Sequence, residues 1–351
     1  CSEKHLTSFF HPLSFLRNSI LGVRKMSGIS NFNVFVTRSD YPEAAINLLK
    51  KECQVSLWPK PSPISRSDLI ASVQGKNAIF CALSDRIDKE VMDAAGPGLK
   101  VISTMSVGYD HIDVGECNKR GIKIGYTPDV LTDATAELTL ALLLSTSRRL
   151  PEAQHEAKTG GWVSWAPTWM TGPGLAGATV GIVGFGRIGQ AVARRVKAFN
   201  TKEILYFNRS VRPEAQEVGA RKVDFDTLLA ESDFVICCAA LVPETKEMFN
   251  KDAFAKMKKK AIFVNTSRGG VVNQEDLIDA LKSGTIRAAG LDVTTPEPLP
   301  LDNPLFELKN CVVLPHIGSA AIEARDVMAE LTAMNILTAL KHEEMPAQLK
   351  V

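Results

Sequence analysis

From Asn33 onward the chain repeats one pattern, a short β-rich apolar run followed by an amphipathic stretch, and a parallel sheet covered by helices is the arrangement that accommodates it. The pattern occurs in two series. The first holds NVFVTR (33–38), VSLW (55–58), AIFCAL (78–83), KVISTM (100–105) and IKIGYT (122–127). The second holds TVGIVGFG (179–186), EILYFN (203–208), FVICCA (234–239), AIFVNT (261–266), AAGLDV (288–293) and CVVLPH (311–316). A single core usually splits beyond roughly 250–300 residues, so a chain of 351 residues is expected to form two domains, one per series.

Between the series lies TDATAELTLALLLSTSRRL, read as an interdomain helix capped by Thr132 or Asp133, with Arg148 and Arg149 complementing its C-terminal end. Helical periodicity returns from Ala320 to Leu340, and that last long element is expected to pack back on the first domain. The second domain would then be inserted in the first. Residues 1–30 are expected to form a disordered N-terminal extension. Its first 25 residues weakly suggest a targeting segment, Glu3 and Pro12 argue against an amphipathic transit helix, and Met26 is an alternative start.

The run TVGIVGFGRIGQAVARRV places a strand, then Gly184, Gly186 and Gly189 around Phe185, Arg187 and Ile188, then a helix. Gly184 permits the tight turn, Gly186 lets backbone approach a pyrophosphate, and Gly189 allows helix and strand to pack closely. The free N–H groups of the helix N-terminus would face the phosphates. Dinucleotide binding is therefore expected. At the end of the next strand, where an acidic residue would hold the ribose hydroxyls of NAD, the chain reads Tyr206-Phe207-Asn208-Arg209-Ser210. Phe207 accepts no such hydrogen bond, whereas Arg209, with Arg212, suits a 2′-phosphate; the alternative is that both arginines are solvated loop residues. NADPH is the expected cofactor, with NADH as the alternative.

Arg268, Glu297 and His316 each follow the carboxyl end of a strand-like run, the edge at which open α/β sheets bind ligands. A 2-keto acid offers a planar carboxylate that arginine grips bidentately, and a carbonyl oxygen that needs a proton as hydride reaches its carbon. Histidine is a natural proton donor near neutrality, and a neighbouring carboxylate, for which Glu297 is the candidate, would favour its charged form. Singly, these residues read as a strand-end arginine, a loop glutamate and a histidine satisfied by backbone. Together beside a nucleotide turn they suggest a keto-acid reductase.

Composition narrows the alternatives. With 45% apolar and 23% charged residues the chain has ordinary values for a soluble globular enzyme. A net charge of +2, with Lys256, Lys258, Lys259 and Lys260 read as a solvated helix end, gives no reason to expect nucleic acid. No apolar run approaches the roughly 20 residues that span a bilayer, so no membrane partner is expected. Seven cysteines without paired spacing suit a reducing compartment, and Cys237 and Cys238 are expected to be buried thiols. The cytoplasm is the expected compartment, with mitochondrion and peroxisome left open, and no metal is expected.

The glycine turn, SRGGVVNQEDL, GLDVTTPEPLP and LPHIGSA, in that order and spacing, resemble the D-isomer-specific 2-hydroxyacid dehydrogenase family from about Val34 to the C-terminus. The resemblance implies two doubly wound parallel-sheet α/β domains, a Rossmann-type cofactor domain (129–317) inserted into a flavodoxin-like substrate domain (31–128 and 318–351). It implies that Arg268 binds and polarises the substrate, His316 is the acid/base and Glu297 pairs with it. It also implies that the amides of Val107 and Gly108 hold the substrate carboxylate in a backbone nest, where the residues alone suggest a plain strand-end turn. Asn208, Arg209 and Ser210 would lie at the adenosine phosphate, and Ala240, Thr266 and Gly318 at the nicotinamide. Asp292 would face cofactor or substrate, although alone it reads equally as a buried polar residue.

The runs LKVISTMSVGYDHID, GYTPDVLTDATAELTLALLL and GGWVSWAP narrow the resemblance to family members that reduce glyoxylate to glycolate and hydroxypyruvate to D-glycerate. Three tryptophans crowd GGWVSWAPTWM, too many to leave in water without a purpose. By resemblance this is an arm wrapped around a second subunit, implying a homodimer. Trp165 either reaches the partner's substrate pocket or, with the others, only anchors the dimer. Two other readings stay open: an NAD-dependent dehydrogenase of another D-2-hydroxy acid such as phosphoglycerate, and a dinucleotide-sensing corepressor-like protein.

Overall fold

The computed structural model describes residues 31–350, and the extension expected over residues 1–30 lies outside the described residues. The first sheet holds β1 (Asn33–Val36), β2 (Gln54–Leu57), β3 (Ala78–Cys81), β4 (Val101–Thr104) and β5 (Lys123–Gly125), in the order β2-β1-β3-β4-β5. The second holds β6 (Thr179–Val183), β7 (Glu203–Phe207), β8 (Arg221–Lys222), β9 (Phe234–Cys237), β10 (Ile262–Asn265), β11 (Ala288–Leu291) and β12 (Cys311–Val313), in the order β12-β11-β10-β9-β6-β7-β8. Every pairing is parallel. Each expected apolar run contains a strand. The two-residue β8 was not anticipated, because a pair of exposed basic residues carries no apolar signal.

Alternate side chains of each strand enter different cores, as the two-residue period of a strand requires. In β6 and β9, Val180, Ile182, Phe234 and Ile236 pack on one face of the second sheet. Val183, Val235 and Cys237 pack on the other. In β1 and β3, Val34, Val36, Ala78 and Phe80 join one core and Phe35, Ile79 and Cys81 the opposite one. Burial on both faces is why these strands are apolar throughout.

The helix Thr132–Ser147 packs on the second sheet and on the helix Arg187–Lys197. Its cap differs from expectation: the N-cap is Leu131, and no side chain caps it. Asp133 already lies in the first turn, where it complements the helix dipole and meets Arg195 at 2.9 Å. At the other end Arg149 takes a left-handed φ of 55° and turns the chain into a second helix, Leu150–Thr159. Its guanidinium reaches forward to Glu152 at 2.9 and 2.7 Å. Arg149 thus links two helices and does not close the first.

The final helix, Ile322–Leu340, returns to the first sheet and packs on the helix Glu43–Lys50 and on β4. Beyond it the tail runs beside β5, with the Leu349 amide donating to the Ile124 carbonyl at 2.8 Å. Both ends of the described chain therefore meet in the first sheet, while the second is built from the residues between. Among the described residues no helix is long and apolar enough to cross a membrane.

Candidate active site

β6 lies between β9 and β7, and the chain leaves it first toward β8 and then back toward β12, so a crevice opens at its carboxyl end. Gly184 turns the chain there with φ +90°, and a Cβ on it would lie 2.6 Å from the Ala239 amide nitrogen. On Gly189 a Cβ would lie 2.2 Å from the Gly184 carbonyl oxygen. Gly186 is different: a Cβ would meet nothing within 4 Å, so the turn is open to a ligand. The helix Arg187–Lys197 starts here with no side-chain cap, leaving its first N–H groups for an anion. These features fit a dinucleotide pyrophosphate.

The flanks of this turn have distinct tasks. Phe185 is fully buried against Tyr206, and its amide donates to Asn208 Oδ1 at 3.2 Å. Asn208 Nδ2 in turn donates to the Ser210 carbonyl at 3.1 Å, which folds the loop after β7. The Phe207 ring packs 5.5 Å from Phe225, so no carboxylate occupies the strand end. Arg209 and Ser210 are exposed beside it, and Arg212 keeps a buried Nε without a hydrogen-bond partner. Arg187 pairs with Asp129.

Three loops at the carboxyl ends of β10, β11 and β12 bring the charged residues together. After β10, the buried Asn265 carboxamide accepts from the Ser267 amide at 3.0 Å and donates to the Arg268 carbonyl at 2.9 Å. Gly269 lets this loop touch the next, since a Cβ there would lie 1.9 Å from the Thr294 carbonyl oxygen. Glu297, between Pro296 and Pro298, accepts the Thr294 amide on Oε1 at 3.1 Å. Its Oε2 meets His316 Nδ1 at 2.8 Å.

His316 itself has a left-handed φ of 54°, a conformation that a non-glycine residue holds only when its surroundings impose it. Asp292 supplies the constraint. Its carboxylate accepts the amides of Ile317 at 2.8 Å and Gly318 at 2.7 Å, and its carbonyl accepts the His316 amide at 2.8 Å. The fourth loop comes from the first sheet: after β4, Ser106 donates to the Gly108 carbonyl at 2.7 Å, and Thr104 meets His111 Nε2 at 3.0 Å. Gly108 lies directly under the Arg268 guanidinium, where a Cβ would come within 1.7 Å of Nη2. Asp110, two residues on, accepts from Arg268 Nε at 3.0 Å.

A cavity of about 330 Å³ lies between the sheets, at the small end of the range for ligand sites. Val107, Gly108, Arg268, Asp292 and His316 line it, together with Ile188, Ala240, Thr266 and Gly318. Glu297 stands behind His316, outside the lining. Trp165 is 82% exposed and lies outside this cavity, as do Trp162 and Trp169.

Burial pushes the Glu297 carboxyl up, but the hydrogen bond and charge of His316 and the Thr294 amide outweigh it and hold the group below the ordinary carboxylate range. Asp110 is likewise lowered, burial being overcome by the charge and hydrogen bond of Arg268. Burial wins at Asp292, whose carboxyl is raised in spite of its two amide donors. His111, half-enclosed beneath the Gly108 loop, is pushed down to about 4, chiefly by burial.

Several lining residues carry no signal that singles them out in the sequence. Cys238, expected to be buried like Cys237, is only partly buried and lines the cavity, because the chain turns away from the sheet after β9 ends at Cys237. Arg325, on the first turn of the final helix, also enters the lining and donates from Nε to the Ser319 carbonyl at 3.1 Å. Asp110 sits inside the run SVGYDH, and only a view of both sheets pairs it with Arg268. The cation run 256–260 divides between Asp226, paired with Lys256 at 2.7 Å, and Asp233, paired with Lys258 at 2.8 Å.

The likeness to known proteins agrees with this geometry. The chain is 53% identical to the human glyoxylate reductase/hydroxypyruvate reductase, over 93% of this chain and 100% of the human protein. The structure of a glyoxylate reductase from Paecilomyes thermophila superposes with a TM-score of 0.82 at 30% identity, covering 92% of this chain and 99% of the other. An NADPH-dependent glyoxylate/hydroxypyruvate reductase from Sinorhizobium meliloti, solved with NADP and malonate, gives a TM-score of 0.79 at 28% identity over 91% and 97% of the two chains. Residues 140–318 match the D-isomer specific 2-hydroxyacid dehydrogenase, NAD binding domain family. On these similarities and on its paired parallel sheets, the chain belongs to the D-isomer-specific 2-hydroxyacid dehydrogenase family and is an NAD(P)-dependent oxidoreductase of small 2-hydroxy and 2-keto acids.

Proposed function

We propose that this enzyme reduces glyoxylate to glycolate and hydroxypyruvate to D-glycerate, using NADPH. The observation that carries the reading is the convergence of Arg268, the Val107–Gly108 backbone and the His316–Glu297 pair on one small cavity beside the glycine turn. The relatives named above point to the same substrates.

In this reading the 2-keto acid carboxylate is held by Arg268 Nη2 and by the amides of Val107 and Gly108, which places its carbonyl oxygen at His316. Glu297 occupies Nδ1, so Nε2 is the nitrogen left to give a proton to that oxygen. Asp292 fixes the turn that carries the ring. The glycine turn, with Ala240, Thr266 and Gly318, would hold the cofactor, which would supply the hydride when bound. Arg209, with Arg212, would meet the 2′-phosphate, a role supported by Phe207 standing at the strand end where a ribose-binding carboxylate would otherwise be. The segment with Trp162, Val163 and Trp165, which are 63%, 90% and 82% exposed, closes a homodimer. The proposed compartment is the cytoplasm, supported by six free thiols among the described residues.

Steady-state kinetics test the reading. Purified protein should oxidise NADPH with glyoxylate and with hydroxypyruvate faster than with pyruvate, and less efficiently when NADH replaces NADPH. His316→Ala should lower kcat by about a thousandfold or more while NADPH binding, followed by fluorescence, is retained. Near-normal turnover in that variant would remove His316 as the acid, and equal use of NADH would remove the phosphate role of Arg209.

A further inference from the structure

The Arg268 guanidinium is gripped on two of its three nitrogens before any substrate arrives. Nη1 donates to the Ser267 carbonyl at 2.9 Å and Nε to Asp110 Oδ1 at 3.0 Å. Nη2 is left lying over Gly108. The two contacts differ in origin. Ser267 belongs to the same loop as Arg268, after β10 of the second sheet, whereas Asp110 follows β4 of the first. The Arg268–Asp110 bond therefore crosses the cleft.

We propose that Asp110 is the positioning residue of Arg268: by holding Nε across the cleft, it aims Nη2 at the carboxylate site over Gly108 and makes that aim depend on the two sheet edges being together. The proposal rests on the reading of Arg268 as the carboxylate anchor. A free arginine side chain carries about 2 kcal/mol of rotamer entropy, which must be given up when it closes on a ligand. Fixing it beforehand leaves less to lose on binding. Asp110 is suited to this because it takes Nε, a nitrogen that a carboxylate bound over Gly108 does not use, so anchor and substrate do not compete. The position is also selective. A Cβ on Gly108 would lie 3.0 Å from Asp110 Oδ1 as well as 1.7 Å from Nη2, so the two side chains bracket the one residue that has none.

The test is a set of four variants, Asp110→Ala, Asp110→Asn, Arg268→Ala and the double Asp110→Ala/Arg268→Ala, each assayed for kcat, for KM of glyoxylate and hydroxypyruvate, and for NADPH binding. Asp110→Ala should raise KM for both acids about ten- to thirtyfold with a smaller change in kcat and unchanged NADPH affinity. Asp110→Asn keeps an acceptor for Nε and should recover part of that loss. In the double variant, removal of Asp110 should add little to the loss caused by Arg268→Ala, because Asp110 acts through Arg268. An unchanged KM in Asp110→Ala, alongside an impaired Arg268→Ala, would overturn the positioning role and leave the anchor reading intact. A lowered KM would also overturn it, showing Asp110 to be a competitor for the guanidinium. Full additivity in the double variant would show a role independent of Arg268. A normal KM in Arg268→Ala would bring down the anchor reading and this inference with it. Weakened NADPH binding in Asp110→Ala would mean general damage to the cleft, and would count against positioning.

Discussion

Single residues at this site are selected by what they leave empty as much as by what they supply. Gly108 has no side chain because the Arg268 guanidinium occupies that space, and Gly269 has none because the Thr294 carbonyl does. The two cases differ in cost. A Cβ on Gly269 would strike backbone, whereas a Cβ on Gly108 strikes the tip of a flexible side chain that can swing away. Gly108→Ala should therefore unfold within about 1 kcal/mol of the parent while losing about a hundredfold in kcat/KM through the displaced Arg268. Denaturant titration and steady-state kinetics on the same preparation check this. A stability loss as large as the activity loss would mean that the glycine serves the fold and not the guanidinium.

At the scale of elements, three of the four loops at the sheet edges are tied by internal polar groups. Asn265 ties the Arg268 loop, Asp292 the His316 turn, and the Thr104–Ser106–His111 chain the Gly108 loop. The last has a consequence for pH. His111 takes up its proton near 4 in the fold, whereas an exposed histidine does so near about 6.5. Between those values the unfolded chain binds a proton that the folded chain refuses, so acidification favours unfolding. The contribution is constant above about pH 6.5 and falls away below it, by about 2 kcal/mol at pH 5. Urea unfolding near pH 7 and pH 5 should show a drop that is smaller by about 1–2 kcal/mol in His111→Gln. An equal drop in both proteins would assign the acid sensitivity to other groups.

For the whole molecule, the proposed homodimer rests on one exposed segment. The segment after the helix Leu150–Thr159 presents Trp162, Val163 and Trp165 to solvent, and Trp169 is 40% exposed beside them. Aromatic side chains of that size dominate binding energy where they are enclosed by a partner. Replacing Trp162 and Trp165 together by alanine should weaken self-association at least about tenfold, seen as dissociation in sedimentation velocity at concentrations where the parent stays paired. If the doubly substituted chain remains as tightly paired as the parent, this segment is not the arm of a dimer.

Much of this architecture was legible without coordinates because it rests on local rules. Apolar runs buried on both faces, amphipathic helices between them, and three glycines at a strand-to-helix turn are each specified by residues close in sequence. Arg268, Glu297 and His316 were nominated by a positional rule, that each follows a strand end, and the structure places all three at one edge. The rest depended on chain segments that are far apart. Leu131 heads the helix Thr132–Ser147 where Thr132 or Asp133 was expected, and Asp133, in its first turn, pairs instead with Arg195, 62 residues away. Asp110 and Arg268, separated by 158 residues, meet only because two sheets face one another across a cleft. Cys238 and Arg325 enter the same cavity from a strand exit and a returning helix. Short-range periodicity sets which face of an element is buried; which two faces then oppose each other is decided by how the two sheets pack, and with it the orientation of Arg268.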